Sequence, residues 1–223
     1  MNPNSLISWN KLKTFKGFGD DRLQVASEAF IAACSQSIAK WTGLRFVYGN
    51  YTEYHDGTRG QIVSPRETPV SSDLKVWVDC SRKFEDASLL DDYTILNKKL
   101  YSKRFSLFGS NVIKLSYNGG YVVPKYEQSN EPPDPQNGDY WQDTSEWALK
   151  MWDGATWSAS ELPVMPDDIQ MAVTAMFDWQ YNRIKSGQTG VKTKAIEAGM
   201  TSWETEIPKS IKEKLRRYKR YPL

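Results

Sequence analysis

The sequence predicts an α+β protein: a small helical bundle with a β-rich portion between its first and second long helices, plus a small all-β insertion. Three observations lead there. Two stretches, 21–42 and 166–186, repeat apolar residues at steps of three and four, as one face of a helix requires. Between them, Leu44 to Tyr121 breaks into short β-branched and aromatic runs divided by turn residues. After a proline-rich break, the run "GDYWQDTSEWALKMWDGATW" holds four of the chain's nine tryptophans.

The first helix, 21–42, presents Leu23, Ala26, Phe30, Cys34, Ile38 and Trp41 along one stripe. Asp20 and Asp21 supply its cap and Gly43 its stop. In the β-rich portion, 44–121, "RFVYGNYTEYHDGTRGQIVS" reads as two strands around a tight Asp56-Gly57 hairpin. "LKVWVDC", "DDYTIL" and "NVIKLSYNGGY" are further strand candidates, for four to six strands in all. "VPKYEQSNEPPDPQNG" then reads as a linker into a separate unit, 126–162, with short strands around Asp153-Gly154. The next helix, 166–186, opens on Pro166, Asp167 and Asp168, which suit the positive end of a helix dipole. Its stripe is Ile169, Val173, Met176 and Gln180, flanked by Ala172, Phe177 and Tyr181, and Gly187 ends it. Ser186 to Thr205 reads as a long, polar, irregular and mobile loop. A short C-terminal helix, 208–219, follows, with Ile207, Ile211, Leu215 and Tyr218 on one side and a basic back. The chain therefore divides into a core, 1–125 with 163–223, and an inserted module, 126–162.

Composition narrows the function. The net charge of +2 does not by itself argue for nucleic-acid binding, but its distribution is uneven. Lys209 to Arg220 carries seven basic residues and one acidic, whereas Glu127 to Glu161 carries eight acidic and one basic, Lys150. The two parts are expected to face different surroundings. No run approaches the ~18 apolar residues of a membrane span, and Met1 to Lys11 shows no signal-peptide h-region. Cys34 and Cys80 are too few and too far apart for a disulfide framework.

Candidate chemistry is sparse. His55 is the single histidine and sits beside a predicted turn, where a polar surface residue is expected. One histidine cannot anchor a His-rich metal site, and no Cys-x-x-Cys occurs. Cys34 lies on an apolar helix stripe, where a buried, inert thiol is expected. No phosphate-loop or Gly-x-Ser-x-Gly motif occurs, and the pairs Asp20-Asp21, Asp91-Asp92 and Asp167-Asp168 are explained by caps and turns. The expectation is a protein without catalytic residues, metal or cofactor. The basic C-terminus can dock a partner, contact phosphates or form a solvated face. Its interleaving of Arg216, Arg217, Lys219 and Arg220 with Tyr218 and Tyr221 favours a contact surface.

The order of segments resembles the head-to-tail connector (adaptor) proteins of tailed bacteriophages. The residues that carry the resemblance are "TEYHDG" (52–57), "LKVWVDCSRKFEDASLLDDYTIL" (74–96), "IKLSYNGGY" (113–121), "MPDDIQMAVTAMFDWQYNR" (165–183) and "IPKSIKEKLRRYKR" (207–220). It covers about 20–123 and 163–221. The resemblance implies a structural virion protein of the neck, assembled in the host cytoplasm. Its subunits would form a ring, usually twelve-fold in that family, seated beneath the portal. That ring would extend the DNA channel without reading sequence and offer a platform for stopper or tail proteins. It would have no membrane role. By the same resemblance, the segment from Ile207 to Leu223 is the portal-docking element, with Ile211, Leu215, Arg216, Arg217, Tyr218, Lys219, Arg220 and Tyr221 as its contacts. Truncation after Glu206 is then expected to leave a folded subunit that no longer binds portal. The polar loop from Ser186 would wrap a neighbour or line the channel.

The insertion departs from that family and resembles short Trp-rich modules of phage tail and fibre proteins, with a Gly-Asp-Tyr-Trp strand and a Trp-Asp-Gly-x-x-Trp hairpin. A module of ~35 residues without staples needs large aromatics for a core. At least two of Trp141, Trp147, Trp152 and Trp157 are expected inside it, with Asp153-Gly154 closing the hairpin and Tyr140 beside them. Any tryptophan left outside suits the alternative function, a virion binding module that recognises a glycan or another tail protein. Stacking on nucleic acid is disfavoured, because the module is acidic.

Overall fold

The computed structural model of the chain describes residues 4–18, 24–58, 60–70, 73–84, 87, 89–96, 99–185, 193–194, 201–202 and 207–220. It is α+β and divides into two compact units, Met1–Leu44 with Val123–Leu223, and Arg45–Val122. The first unit opens on a helix that the periodicity does not predict, α1 (Trp9–Lys16). It has clear ends: Ser8 Oγ accepts from the Lys11 N–H at 3.3 Å, and Gly17 closes it at φ 64°. α1 buries Trp9 and Leu12, and the residues leading into it, Leu6 and Ile7, are fully buried.

α2 (Gln24–Thr42) follows; Asp20, Asp21 and Leu23 of the expected helix start lie outside the described residues. Its buried face is not the expected stripe. Ser27, Ile31, Cys34, Ser35, Ile38 and Thr42 point inward, whereas Ala26 is exposed and Phe30 and Trp41 are half-buried. The N-terminal segment explains the rotation, because the Leu6 N–H donates to Ser35 Oγ at 3.0 Å. Small hydroxyl side chains let that backbone approach and satisfy it, so apolarity alone misplaces the face.

Among its described residues the second unit holds six strands: β1 (Gly49–Thr58), β2 (Ile62–Val63), β3 (Lys75–Val78), β4 (Thr94–Leu96), β5 (Lys99–Tyr101) and β6 (Phe108–Gly119). They form two antiparallel three-stranded sheets, ordered β1-β6-β3 and β2-β5-β4. The expected hairpin at Asp56-Gly57 is absent. β1 runs through that dipeptide, and its register against β6 shifts between His55 and Gly57. A Cβ on Gly57 would strike the Leu107 carbonyl, and Asp56 Oδ1 accepts from the Asn111 N–H at 2.8 Å. The dipeptide therefore makes a bulge rather than a turn. Val76, Leu100, Phe105, Val112, Ile113, Leu115 and Tyr117 form this unit's core.

Returning to the first unit, β7 (Tyr126–Gln128), β8 (Tyr140–Asp143), β9 (Ala148–Trp152) and β10 (Trp157–Ala159) form one sheet ordered β10-β9-β8-β7. β7 and β8 are parallel and the other pairs antiparallel. α3 (Asp167–Lys185) packs on α2 and on α4 (Lys209–Leu215), which continues as a 3-10 turn, Arg216–Tyr218, in place of a helix to residue 219. Where an irregular loop is expected, β11 (Thr193–Lys194) pairs with β12 (Thr201–Ser202). The rest of that stretch lies outside the described residues.

Candidate interaction surfaces

The C-terminal segment is less available than its sequence suggests. Ile207, Ile211 and Leu215 are 8%, 3% and 0% exposed, so they belong to the chain's own core. Ile211 and Leu215 are therefore removed from the expected docking contacts, and removing 207–223 would strip α3 of its cover. Arg217 bonds Asp168, and the Tyr218 hydroxyl donates to the same carboxylate at 2.9 Å. The Lys219 ammonium lies 4.9 Å from the Trp41 ring centre, and the Arg220 N–H donates to the Thr42 carbonyl at 2.9 Å. That last bond occupies a carbonyl at the end of α2. Arg216 is exposed, and Tyr221 lies outside the described residues. The Arg–Tyr interleaving thus serves to fasten the segment as well as to present charge.

The four tryptophans separate into two kinds. Trp141 is buried, and its Nε1–H donates to the Gln128 carbonyl at 2.8 Å. Trp157 meets Trp141 edge-on at 5.5 Å and lies 5.4 Å from Trp152. Both are half-buried, as is Tyr140. Gly154 follows Asp153, whose Oδ1 accepts from the Ala155 and Thr156 N–H groups at 2.8 Å each, which closes the β9–β10 turn. On β8, Asp143 is buried and accepts from Lys150 Nζ at 2.8 Å and from Ser145 Oγ at 2.6 Å. The Lys150 ammonium and these hydroxyl and amide donors hold the Asp143 carboxyl well below the usual range. Lys150 also sits 4.8 Å over the Trp141 ring, so the module's single cation neutralises its buried carboxylate and caps its central indole.

Trp147 is the exception. It is 79% exposed and has φ 54°, a left-handed conformation unusual for a bulky side chain. It lines a groove of about 850 Å³ within the first unit, whose apolar walls also include Phe15, Leu149, Met165 and Met171. Phe15 and Met171 are 51% and 55% exposed. Glu161 and Asp167 line the same groove. So do Glu127 and Gln142, each with a side-chain oxygen that finds no donor among the described residues. An exposed aromatic on a left-handed backbone, lining an apolar trough, is a surface suited to contact with another molecule.

The second unit contains a buried polar cluster that the sequence does not announce. Glu53 and Glu67 are 7% and 6% exposed. Glu53 accepts from the Tyr117 hydroxyl and from the Arg66 N–H at 2.9 Å, and lies 2.9 Å from His55 Nε2. Tyr117 in turn accepts from the Glu67 N–H at 2.9 Å, and Glu67 accepts from the Arg45 N–H at 2.9 Å. Burial opposes the charge on Glu53, but its bonds from His55, Tyr117 and Arg66 outweigh it, and its pKa falls below the ordinary value. For Glu67 burial wins and the pKa rises. Glu53 on β1 and Tyr117 on β6 hold the segment at Arg66 and Glu67, and Glu67 holds Arg45, which is a structural network; His55 joins it through Glu53 and is not a solvated turn residue. Cys34 is also buried, and burial pushes its thiol up to about 12, far from a reactive thiolate. Among the described residues, no group of three or more His, Cys, Asp or Glu is placed to hold a metal ion, and no helix is long and apolar enough to cross a membrane.

No protein-family model matches the chain, and no curated protein matches it. Among solved structures, a chain of the "Neck of empty GTA particle computed with C6 symmetry" superposes on it with a TM-score of 0.49 and 10% identity, over 96% of this chain and 89% of that one. At that identity and degree of superposition, the likeness does not extend to function.

Proposed function

We propose that this chain is a structural virion protein, a head-to-tail connector subunit. It forms a ring below the portal, extends the DNA channel and offers the tail its attachment platform. The observation that carries this reading is the ordered placement of the five connector-like motifs on elements. "TEYHDG" lies on β1, "LKVWVDC" on β3, "IKLSYNGGY" on β6, "MPDDIQM" opens α3, and "IPKSIKEKL" forms α4. Support comes also from the surface. Ile62, Leu89, Ile95, Leu96 and Phe108 of the second unit are 47–80% exposed, more apolar side chain than a solitary small unit usually leaves in water. The buried acidic cluster of Glu53 and Glu67 is spent on fastening the fold. DNA would pass through the ring without being read.

The alternative, a virion binding module that recognises a glycan or another tail protein through the Trp-rich sheet, is favoured by Trp147 alone. Trp141, Trp152 and Trp157 pack on one another and are poorly placed to stack on a sugar. The test of the connector reading is whether the purified full chain closes into rings and co-sediments with the portal of its own particle. A chain that stays monomeric with and without portal would overturn it.

A further inference from the structure

The groove at Trp147 and the edge of the β2-β5-β4 sheet have complementary chemistry. β4 is an edge strand, and all three of its residues are exposed, Ile95 and Leu96 at 54% and 56%. An apolar, unpaired edge is a surface that folded proteins normally cover. Lys99 is the β5 residue paired in register with Leu96, and it is exposed, as are Lys103 and Arg104 just beyond β5. The edge therefore offers an aliphatic side chain on each face, with Lys99 beside Leu96 and the exposed Asp91 and Asp92 just before the strand. The groove offers apolar walls from Phe15, Trp147 and Met171 and the carboxylates of Glu127, Glu161 and Asp167 against one cation, Lys11, which lies 2.9 Å from both Glu127 and Asp167 and leaves the lining net negative.

We propose that the groove is occupied by a second copy of this chain, through the β4 edge at Ile95 and Leu96 with Lys99 answering the groove's carboxylates. This rests on the ring reading above and names its interface. The two surfaces are different and lie on different units, so the contact is heterologous, head-to-tail, which is the kind that generates a closed ring. The apolar side chains supply affinity, and the lysine against carboxylates supplies orientation. Aromatic and methionine side chains, as in Trp147 and Met171, are enriched in such contacts.

Two chains with one exposed cysteine each test it; both carry Cys80→Ser because Cys80 is exposed, and both keep the buried Cys34. One carries Leu96→Cys and the other Met171→Cys. Both positions are exposed, and matching thermal melts check folding. Mixed under mild oxidation, the pair should give a disulfide-linked heterodimer that neither chain gives alone, and Leu96→Asp should weaken self-association on the order of tenfold or more. Rings of wild-type chain without that cross-link would overturn the interface and leave the connector reading intact. A Leu96-to-Leu96 cross-link alone would mean edge-to-edge pairing and overturn it too. Groove occupancy by a sugar or a tail peptide that leaves self-association unchanged would overturn it in favour of the binding-module reading. A wild-type chain that never self-associates would overturn both.

Discussion

Asp143 is a buried carboxylate in a sheet of four short strands, and Lys150 is what makes it tolerable. A carboxyl whose pKa is lower folded than unfolded adds stability above about pH 4 and withdraws it as the pH falls. The Trp-rich sheet should therefore keep its aromatic packing down to pH values below 4. In Lys150→Met the acid transition, followed by near-UV circular dichroism, should move to higher pH; an unmoved transition would show that the pair does not hold the sheet. Tyr117 is the corresponding keystone of the second unit. Its hydroxyl both donates to Glu53 and accepts from the Glu67 N–H. Tyr117→Phe leaves both groups short of a partner and should cost about 2–3 kcal/mol in urea unfolding. A loss below ~0.5 kcal/mol would contradict the network's role. Neither residue was legible as a site. Glu53, Glu67 and Tyr117 are 14 and 50 positions apart, so only the pairing of β1 with β6 reveals that they meet.

At the scale of elements, α4 shows how burial and charge divide one helix. Its apolar side is core: Leu215→Ala should destabilise the first unit by about 3 kcal/mol. Arg217→Ala, which removes a mostly exposed ion pair with Asp168, should lower stability far less than Leu215→Ala. If the two were equal in thermal melts, the assignment of α4 to the core would be wrong. The long helices were legible because their apolar spacing repeats over 19 residues each. α1 was not, since only Trp9 and Leu12 mark its buried side, although Ser8 and Gly17 at its ends were there to be read. Asp56-Gly57 misled for a physical reason. The same dipeptide suits a tight turn and a bulge, and the choice is made by Leu107 and Asn111 across the sheet. The face of α2 misled because small hydroxyl residues were inward, where hydropathy counts them as neutral.

At the scale of the whole molecule, both units leave large apolar side chains exposed, among them Phe15, Trp147 and Met171 in the first and Ile95, Leu96 and Phe108 in the second. The sequence carried the α+β class and the order of connector-like motifs, since both depend on local pattern. It did not carry the groove, which is assembled from α1, the Trp-rich sheet and the start of α3. The basic C-terminus also fastens the fold, which sequence cannot show: Arg217 is bonded to Asp168 and Lys219 lies over Trp41. The central claim is that this chain is a ring-forming connector. Single-particle imaging of the purified full chain, alone and mixed with its portal, tests it most directly. A ring-forming connector gives closed rings of this chain seated coaxially on one face of the portal. Monomers with no density on the portal would contradict it.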